Sequence, residues 1–239
     1  MDRRPTGDGR RDRVREATVR EIHQSARTLL VTKGPAAVTI NAVAREMGMS
    51  GPSLYHYYAS RDALVDAVTA GFFQELAEAM EHDRDKRTGA SPADRFLGAC
   101  RAMRAWAVSH PAEFEWIFAS PVSGTQHQPD SARHQAGLRF ESVFIDMIVE
   151  VWNTRPFPVP ELNELPEGLP EQLHAYSRLI DRRLPPEAVH VYVTCWSRLY
   201  GLLCLEVLHQ MDFVLTDMQP LFEQCLSELS DMLGLTQGP

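Results

Sequence analysis

The chain has little cysteine and lacks the residue spacings that usually carry catalysis, metal binding or disulfide scaffolding. Cysteine occurs four times in 239 residues. Cys100, Cys195, Cys204 and Cys225 all fall in apolar stretches without metal-ligand spacing, so they read as small buried hydrophobes. No apolar run approaches the roughly 20 residues that span a bilayer, and the Arg-, Gly- and Asp-rich start lacks the apolar core of a signal peptide. A soluble, cytoplasmic protein is therefore expected. No stretch alternates polar and apolar residues for long enough to make a sheet, which leaves an all-α chain. There is no Gly-flanked Ser nucleophile, phosphate loop or carboxylate pair in a motif context, so no enzyme is expected. Of the nine histidines, His110, His127 and His134 flank one loop. No pair has i, i+4 spacing, so neither a metal nor a cofactor is expected.

Net positive charge is missing from the chain as a whole, which carries −8, but not from its beginning. Residues 1–62 hold 11 Lys/Arg against 7 Asp/Glu, whereas residues 63–239 hold 13 against 25. A basic head on an acidic body suits a protein that presents one end to nucleic acid. Residues 1–12 read as a disordered basic arm, either a solvated tail, the favoured reading, or one whose Arg3, Arg4, Arg10 and Arg11 reach a minor groove. A first helix is expected from about Arg13 to Lys33, with Ala17, Ile22, Ala26, Leu29 and Leu30 on its inner stripe, and Gly34-Pro35 ends it.

Residues 39–64 are the most informative stretch. Ile40, Val43, Ala44 and Met47 recur at helical spacing, and Thr39 stands at the N-cap position. Gly48 sits where that helix must end and takes a left-handed turn cheaply. Ser50 is a good N-cap for a second short helix, and Pro52 lies in its first turn, where a missing N–H does no harm. Leu54 and Tyr58 point inward, leaving Gly51, Pro52, Ser53, His56 and Tyr57 on the outer face. Two short helices joined by a tight turn, with small, polar and aromatic groups outward on the second, describe a DNA-reading helix-turn-helix.

Thr39, Val43, Ala44, Gly48, Met49, Ser50, Leu54, Tyr55, Tyr57, Tyr58, Ser60, Arg61 and Leu64 closely match the N-terminal pattern of the TetR family of bacterial transcriptional regulators, which this segment resembles. Met49, Tyr57, Tyr58 and Arg61 depart from the family's Val, His, Phe and Lys but keep size or charge. The resemblance implies an all-α fold with a three-helix DNA-binding domain over residues 13–62. A larger helical ligand-binding and dimerisation domain follows over residues 63–239. It also implies a DNA-contact set of Thr39, Arg45, Ser50, Gly51, Pro52, Ser53, Tyr55, His56, Tyr57 and Arg61. Thr39, Arg45 and Arg61 would meet phosphates. Ser53 and His56 offer hydrogen bonds to base edges, Pro52 an apolar surface to a thymine methyl, and Gly51 room for close approach. Tyr55 either contacts DNA or packs between helices. The reading helix has no Arg or Lys, so DNA shape or the arm would carry part of the specificity.

Beyond residue 60 helical patterns recur at about 60–81, 92–109, 111–119, 131–153, 171–182, 186–210 and 218–233. Residues 120–130 and the proline-rich 156–170 are irregular, and the latter is a candidate lid. Helix 186–210 is apolar around so much of its surface that it must pack against more than one neighbour. It is either a central core helix or, with 218–233, half of a four-helix bundle completed by a second copy. The resemblance favours the second. Trp196, Tyr200, Gly201 and Leu202 are also similar to the Trp- and Gly-marked C-terminal signature of one TetR subgroup. Met103, Trp106, Phe144, Met147, Trp196 and Tyr200 are the candidate lining of a pocket for a largely apolar ligand, because the family's pockets lie between the corresponding helices. The function expected is a homodimeric repressor released from a palindromic operator by that ligand. The alternatives are an activator or ligand-independent regulator with the same head, or a small-molecule-sequestering protein or enzyme without DNA function.

Overall fold

A computed structural model describes residues 7–119 and 130–235 of the chain. Arg3, Arg4 and His127 lie outside the described residues, as does segment 120–129. Among the described residues there are ten α-helices and no strand: α1 Gly7–Lys33, α2 Ile40–Glu46, α3 Gly51–Leu54, α4 Arg61–Lys86, α5 Pro92–Ser109, α6 Pro111–Phe118, α7 Ala132–Thr154, α8 Leu169–Leu179, α9 Pro186–Val207 and α10 Gln219–Met232. None is long and apolar enough to cross a membrane.

Contacts divide the chain into two compact units. One comprises residues up to Gln74 together with Ala112–Gly137; the other comprises Glu75–Pro111 and the residues from Leu138 onward. The division differs from the single boundary expected after residue 62. It falls inside α4, and α6 with the first turns of α7 joins the N-terminal unit.

In the first unit, Ile22, Ala26, Leu29 and Leu30 of α1 are buried with Val38, Ile40, Val43, Ala44, Leu54, Leu64, Val65 and Val68, as the helical spacing requires. α6 attaches through buried polar groups as well as Phe114 and Ile117. The buried carboxylate of Glu113 pairs with Arg27 of α1 at 2.8 Å, and the Arg27 guanidinium lies 4.9 Å from the centre of the Phe72 ring. The Trp116 indole donates to the hydroxyl of buried Thr69 at 2.9 Å, and that hydroxyl donates to the Val65 carbonyl at 2.7 Å. Accepting one hydrogen bond and donating another, this buried hydroxyl offsets the cost of its desolvation. The first helix does not begin at Arg13: it extends back to Gly7. Residues 7–12 are therefore helical and not a disordered arm. The absence of an apolar stripe concealed this, because Arg is itself a good helix former.

In the second unit, α5, α7, α9 and α10 contribute the core. Phe96, Met103, Phe144, Ile148, Cys195, Leu199, Leu203, Phe222 and Leu226 are all nearly inaccessible. Ion pairs ring it: Arg104–Glu206 at 2.6 Å, Arg101–Glu223 at 2.7 Å and Arg183–Asp146 at 2.7 Å. The proline-rich stretch after α7 contains one 3-10 turn, Leu162–Glu164. Phe157 within it is buried, its ring edge-on to Trp152 at 4.9 Å. An anchored aromatic makes this a fastened strap rather than a free lid.

α2 ends in a Schellman turn. The Met49 N–H bonds the Ala44 carbonyl at 2.8 Å and the Gly48 N–H bonds that of Arg45 at 3.1 Å, with Gly48 at φ +67°. A Cβ on Gly48 would meet no atom within 4 Å, so its cost would be backbone strain alone. Gly48→Ala is expected to destabilise the protein by about 1 kcal/mol and Gly48→Asn by less, measured as the shift in urea midpoint. Equal stability of all three proteins would contradict the assigned geometry.

Candidate nucleic-acid interface

The frame of the site is local. The Thr39 hydroxyl accepts from the Ala42 N–H at 3.2 Å and caps α2. The Ser50 hydroxyl accepts from the Ser53 N–H at 3.3 Å and lies 2.7 Å from the Ser53 hydroxyl, capping α3. Both side chains serve the backbone, as N-caps should. Leu54 is completely buried and the Tyr58 hydroxyl lies 2.7 Å from Nε2 of His23 on α1. Burial raises the pKa of that phenol, and Arg15 partly offsets the rise. These two anchors hold the one-turn α3 and leave the other face free.

That free face contains most of the expected contact set. Arg45, Ser50, Pro52, Tyr55 and His56 are exposed, and Ser53 and Tyr57 are half-exposed. At 53% exposure, Tyr55 does not pack between helices. Two expectations change. The space left by Gly51 is occupied: a Cβ there would come within 2.6 Å of the Asn41 carboxamide oxygen on α2. The small residue thus accommodates the neighbouring helix, whatever it also permits toward a partner. Arg61 is exposed but its Nε donates to the Val38 carbonyl at 3.1 Å, so it braces α4 against the start of α2 as well as facing outward.

The structure adds residues that the motif did not include. A concavity of about 810 Å³ runs between α1 and α3, lined on one side by Arg10, Arg11, Val14 and Arg15 and on the other by Ser53, His56 and Tyr57. The Arg15 guanidinium sits 5.7 Å from the centre of the Tyr57 ring, a cation–π distance. Arg10, Arg11 and Arg15 have a visible signal in sequence, an arginine cluster, but the face they share with His56 depends on how α1 crosses α3.

The candidate ligand residues lie in the second unit. Trp196 packs edge-on against Phe144 at 5.4 Å and Phe140 at 5.6 Å, and stacks on Tyr200 at 5.8 Å. Tyr192 joins Phe144 to Tyr176. Met103, Phe144 and Met147 are buried, and Trp196 and Tyr200 are half-buried. Trp106, also buried, stacks on His110 at 5.1 Å. Burial pushes the Tyr192 and Tyr200 phenols up and the Cys195 thiol up to about 12, so both phenols are neutral and Cys195 is a poor nucleophile.

α9 presents two faces. Val189, Tyr192, Cys195, Leu199 and Leu203 are buried within the unit, whereas Val193 and Leu205 are about 40% exposed. A shallow groove of about 360 Å³ follows the outer face, between Gly201, Leu202 and Leu205 on α9 and Leu221 and Cys225 on α10. Leu226, on the apolar stripe expected between subunits, is 1% exposed and belongs to the core of one chain.

Comparison with known proteins agrees with these features. Residues 16–68 match the model of bacterial regulatory proteins of the tetR family, and residues 96–229 match the tetracyclin repressor-like C-terminal domain. The HTH-type transcriptional regulator Rv1816 of Mycobacterium tuberculosis is 32% identical over 140 residues, 59% of each chain; this chain therefore spans about three fifths of the curated relative's length. The crystal structure of regulatory protein SCO4313 superposes with a TM-score of 0.72 at 28% identity, covering 91% of this chain and 97% of that one. The crystal structure of RolR in complex with resorcinol shares the fold, with a TM-score of 0.54, 16% identity and coverage of 95% and 97%. A helix-turn-helix head matched by one family model and a helical body matched over more than half the chain by the other have one reading: the chain belongs to the TetR family of bacterial regulators.

Proposed function

We propose that the protein is a homodimeric transcriptional repressor that binds a palindromic operator and is released by a small, largely apolar ligand. The observation that carries the DNA part is the outer face of α3. Pro52, Ser53, Tyr55 and His56 stand clear of a helix held from behind by Leu54 and Tyr58. Thr39, Arg45, Ser50, Gly51, Tyr57 and Arg61 complete the interface. Arg45 and Arg61 supply phosphate contacts, and His56 and Ser53 read base edges.

Dimerisation uses the outer faces of α9 and α10. An exposed apolar groove beside the half-exposed Arg198–Glu228 pair fits an isologous contact, in which the same patch serves both copies. Two reading helices then engage successive major grooves about 34–36 Å apart.

The ligand reading rests on the aromatic cluster. Met103, Phe144 and Met147 are sealed by their neighbours, so a ligand enters by displacing packing beside the half-buried Trp196 and Tyr200. Neutral phenols and aromatic faces favour a flat, weakly polar molecule. RolR, known here from its resorcinol complex, offers a fold precedent and a first probe. The tight packing also favours the ligand-independent alternative, which the third test below separates.

Selection from random duplexes should yield a palindrome bound by two protomers. Arg45→Ala should weaken binding to every sequence alike, reducing the salt slope by about 0.9 per half-site. His56→Ala should change which base is preferred, with ~1–3 kcal/mol of discrimination at stake. Indistinguishable effects of the two would refute the division of roles. Leu205→Glu should give a folded monomer by sedimentation that no longer binds the operator, because a desolvated, unpaired carboxylate opposes association. Leu226→Glu should instead unfold the chain. A dimeric Leu205→Glu protein would displace the interface. Trp196→Ala should retain operator binding but lose release by small phenols such as resorcinol. If no phenol or other aromatic compound in a screen lowers operator affinity of the unmutated protein, the ligand-independent reading replaces this one.

A further inference from the structure

We infer that the first turns of α1 are a second DNA-contacting element, gripping one sugar–phosphate strand in the groove between α1 and α3. The inference rests on the DNA-binding reading above and extends it to residues outside the helix-turn-helix.

Residues 10–21 of α1 contain no buried side chain; the first fully covered residue is Ile22. Residues 10–16, about 10 Å of helix at 1.5 Å per residue, are all exposed, and burial begins only with the half-covered Ala17, Thr18 and Val19. Its charge is arranged at a cost: residues 10–16 carry Arg10, Arg11, Arg13 and Arg15 against Asp12 and Glu16, and Arg11 and Arg15 are i, i+4 neighbours of like sign, a mildly destabilising pair. Among the described residues, no carboxylate pairs with Arg10, Arg11 or Arg15, although the arginines of the second unit are extensively paired. An exposed helical stretch with four arginines against two carboxylates gains little from the isolated protein. An anionic partner supplies the missing gain.

The groove identifies the partner. Its walls carry guanidinium groups on one side and the reading residues Ser53, His56 and Tyr57 on the other. Asp12 is the one carboxylate in the lining. Guanidinium forks bind phosphate oxygens in bidentate fashion, while Val14 and Met49, also in the lining, offer apolar surface to the intervening sugars. Arg15 over the Tyr57 ring ties the walls together, so the groove needs little reorganisation on binding. With α3 in a major groove, a flanking strand is the anion within reach of both walls. An acidic peptide would meet the arginines but would have no use for the base-reading side chains opposite.

The experiment compares the full-length protein with Arg10→Ala/Arg11→Ala and Arg10→Lys/Arg11→Lys double variants on its selected operator. Arg10 and Arg11 are both exposed, and thermal melting should be unchanged. The alanine variant should bind every sequence more weakly without changed base preference. Its salt slope should fall by about 1.8 per half-site, for two phosphates each worth about 0.9. Ethylation interference should lose the phosphates flanking each half-site. The lysine variant should restore most of the slope, since charge is kept. An unchanged slope and interference pattern in the alanine variant overturns the inference while leaving the DNA-binding reading intact. Equal competition by polyaspartate and duplex at matched charge also overturns it. If the unmutated protein selects no duplex at all, it is the reading beneath that fails.

Discussion

α3 is one turn long, and a one-turn helix has no stability of its own, because nucleation fixes several dihedrals for a single hydrogen bond. Its position is imposed from outside, and the decisive constraint is the turn before it. With Gly48 in the left-handed region, two backbone bonds close α2 and direct the chain back across it. Ser50 then starts α3, and Leu54 and Tyr58 fasten it. The outward side chains at Pro52, Ser53, Tyr55 and His56 inherit their direction from that turn.

The second unit solves a different problem, that of a helix wanted on two sides. α9 buries one face against α5, α7 and α10 and leaves Val193, Leu202 and Leu205 at least partly open. Its apolar surface is too broad for one partner layer and too narrow for a membrane. The aromatic cluster on its inner side and the groove on its outer side share the same 22 residues. Any movement of Trp196 is thus made on the helix that also carries the proposed subunit contact.

Much of this was legible in sequence because it rests on local rules. Caps, the Gly48 turn, Pro at helix starts and 3.6-residue stripes place nearly every helix within a few residues. What sequence hid depends on distant neighbours. Nothing near Gly51 announces Asn41, and nothing near Arg61 announces the Val38 carbonyl. The stripe on α10 shows that Leu226 is apolar, but which of its faces meets the same chain is decided by α5 and α9. The start of α1 was hidden for the opposite reason: it has no stripe, so a periodicity test cannot see it. The prolines of the strap after α7 make its irregularity legible, while the anchoring of Phe157 on Trp152 depends on how the chain folds back.

The attachment of α6 to the first unit bears on how the chain is made. Arg27 awaits Glu113, and Thr69 awaits Trp116, across separations of 86 and 47 residues. The head is therefore discontinuous in sequence. As the polypeptide leaves the ribosome, its first 74 residues emerge well before their last structural neighbours at 112–137. The DNA-reading surface can form early, but the charge of Arg27 and the hydroxyl of Thr69 lack these partners until the first helix of the body has also been synthesised. Completion of the head is thereby tied to synthesis of more than half the protein, and a truncated product carries a reading helix on an unfinished support.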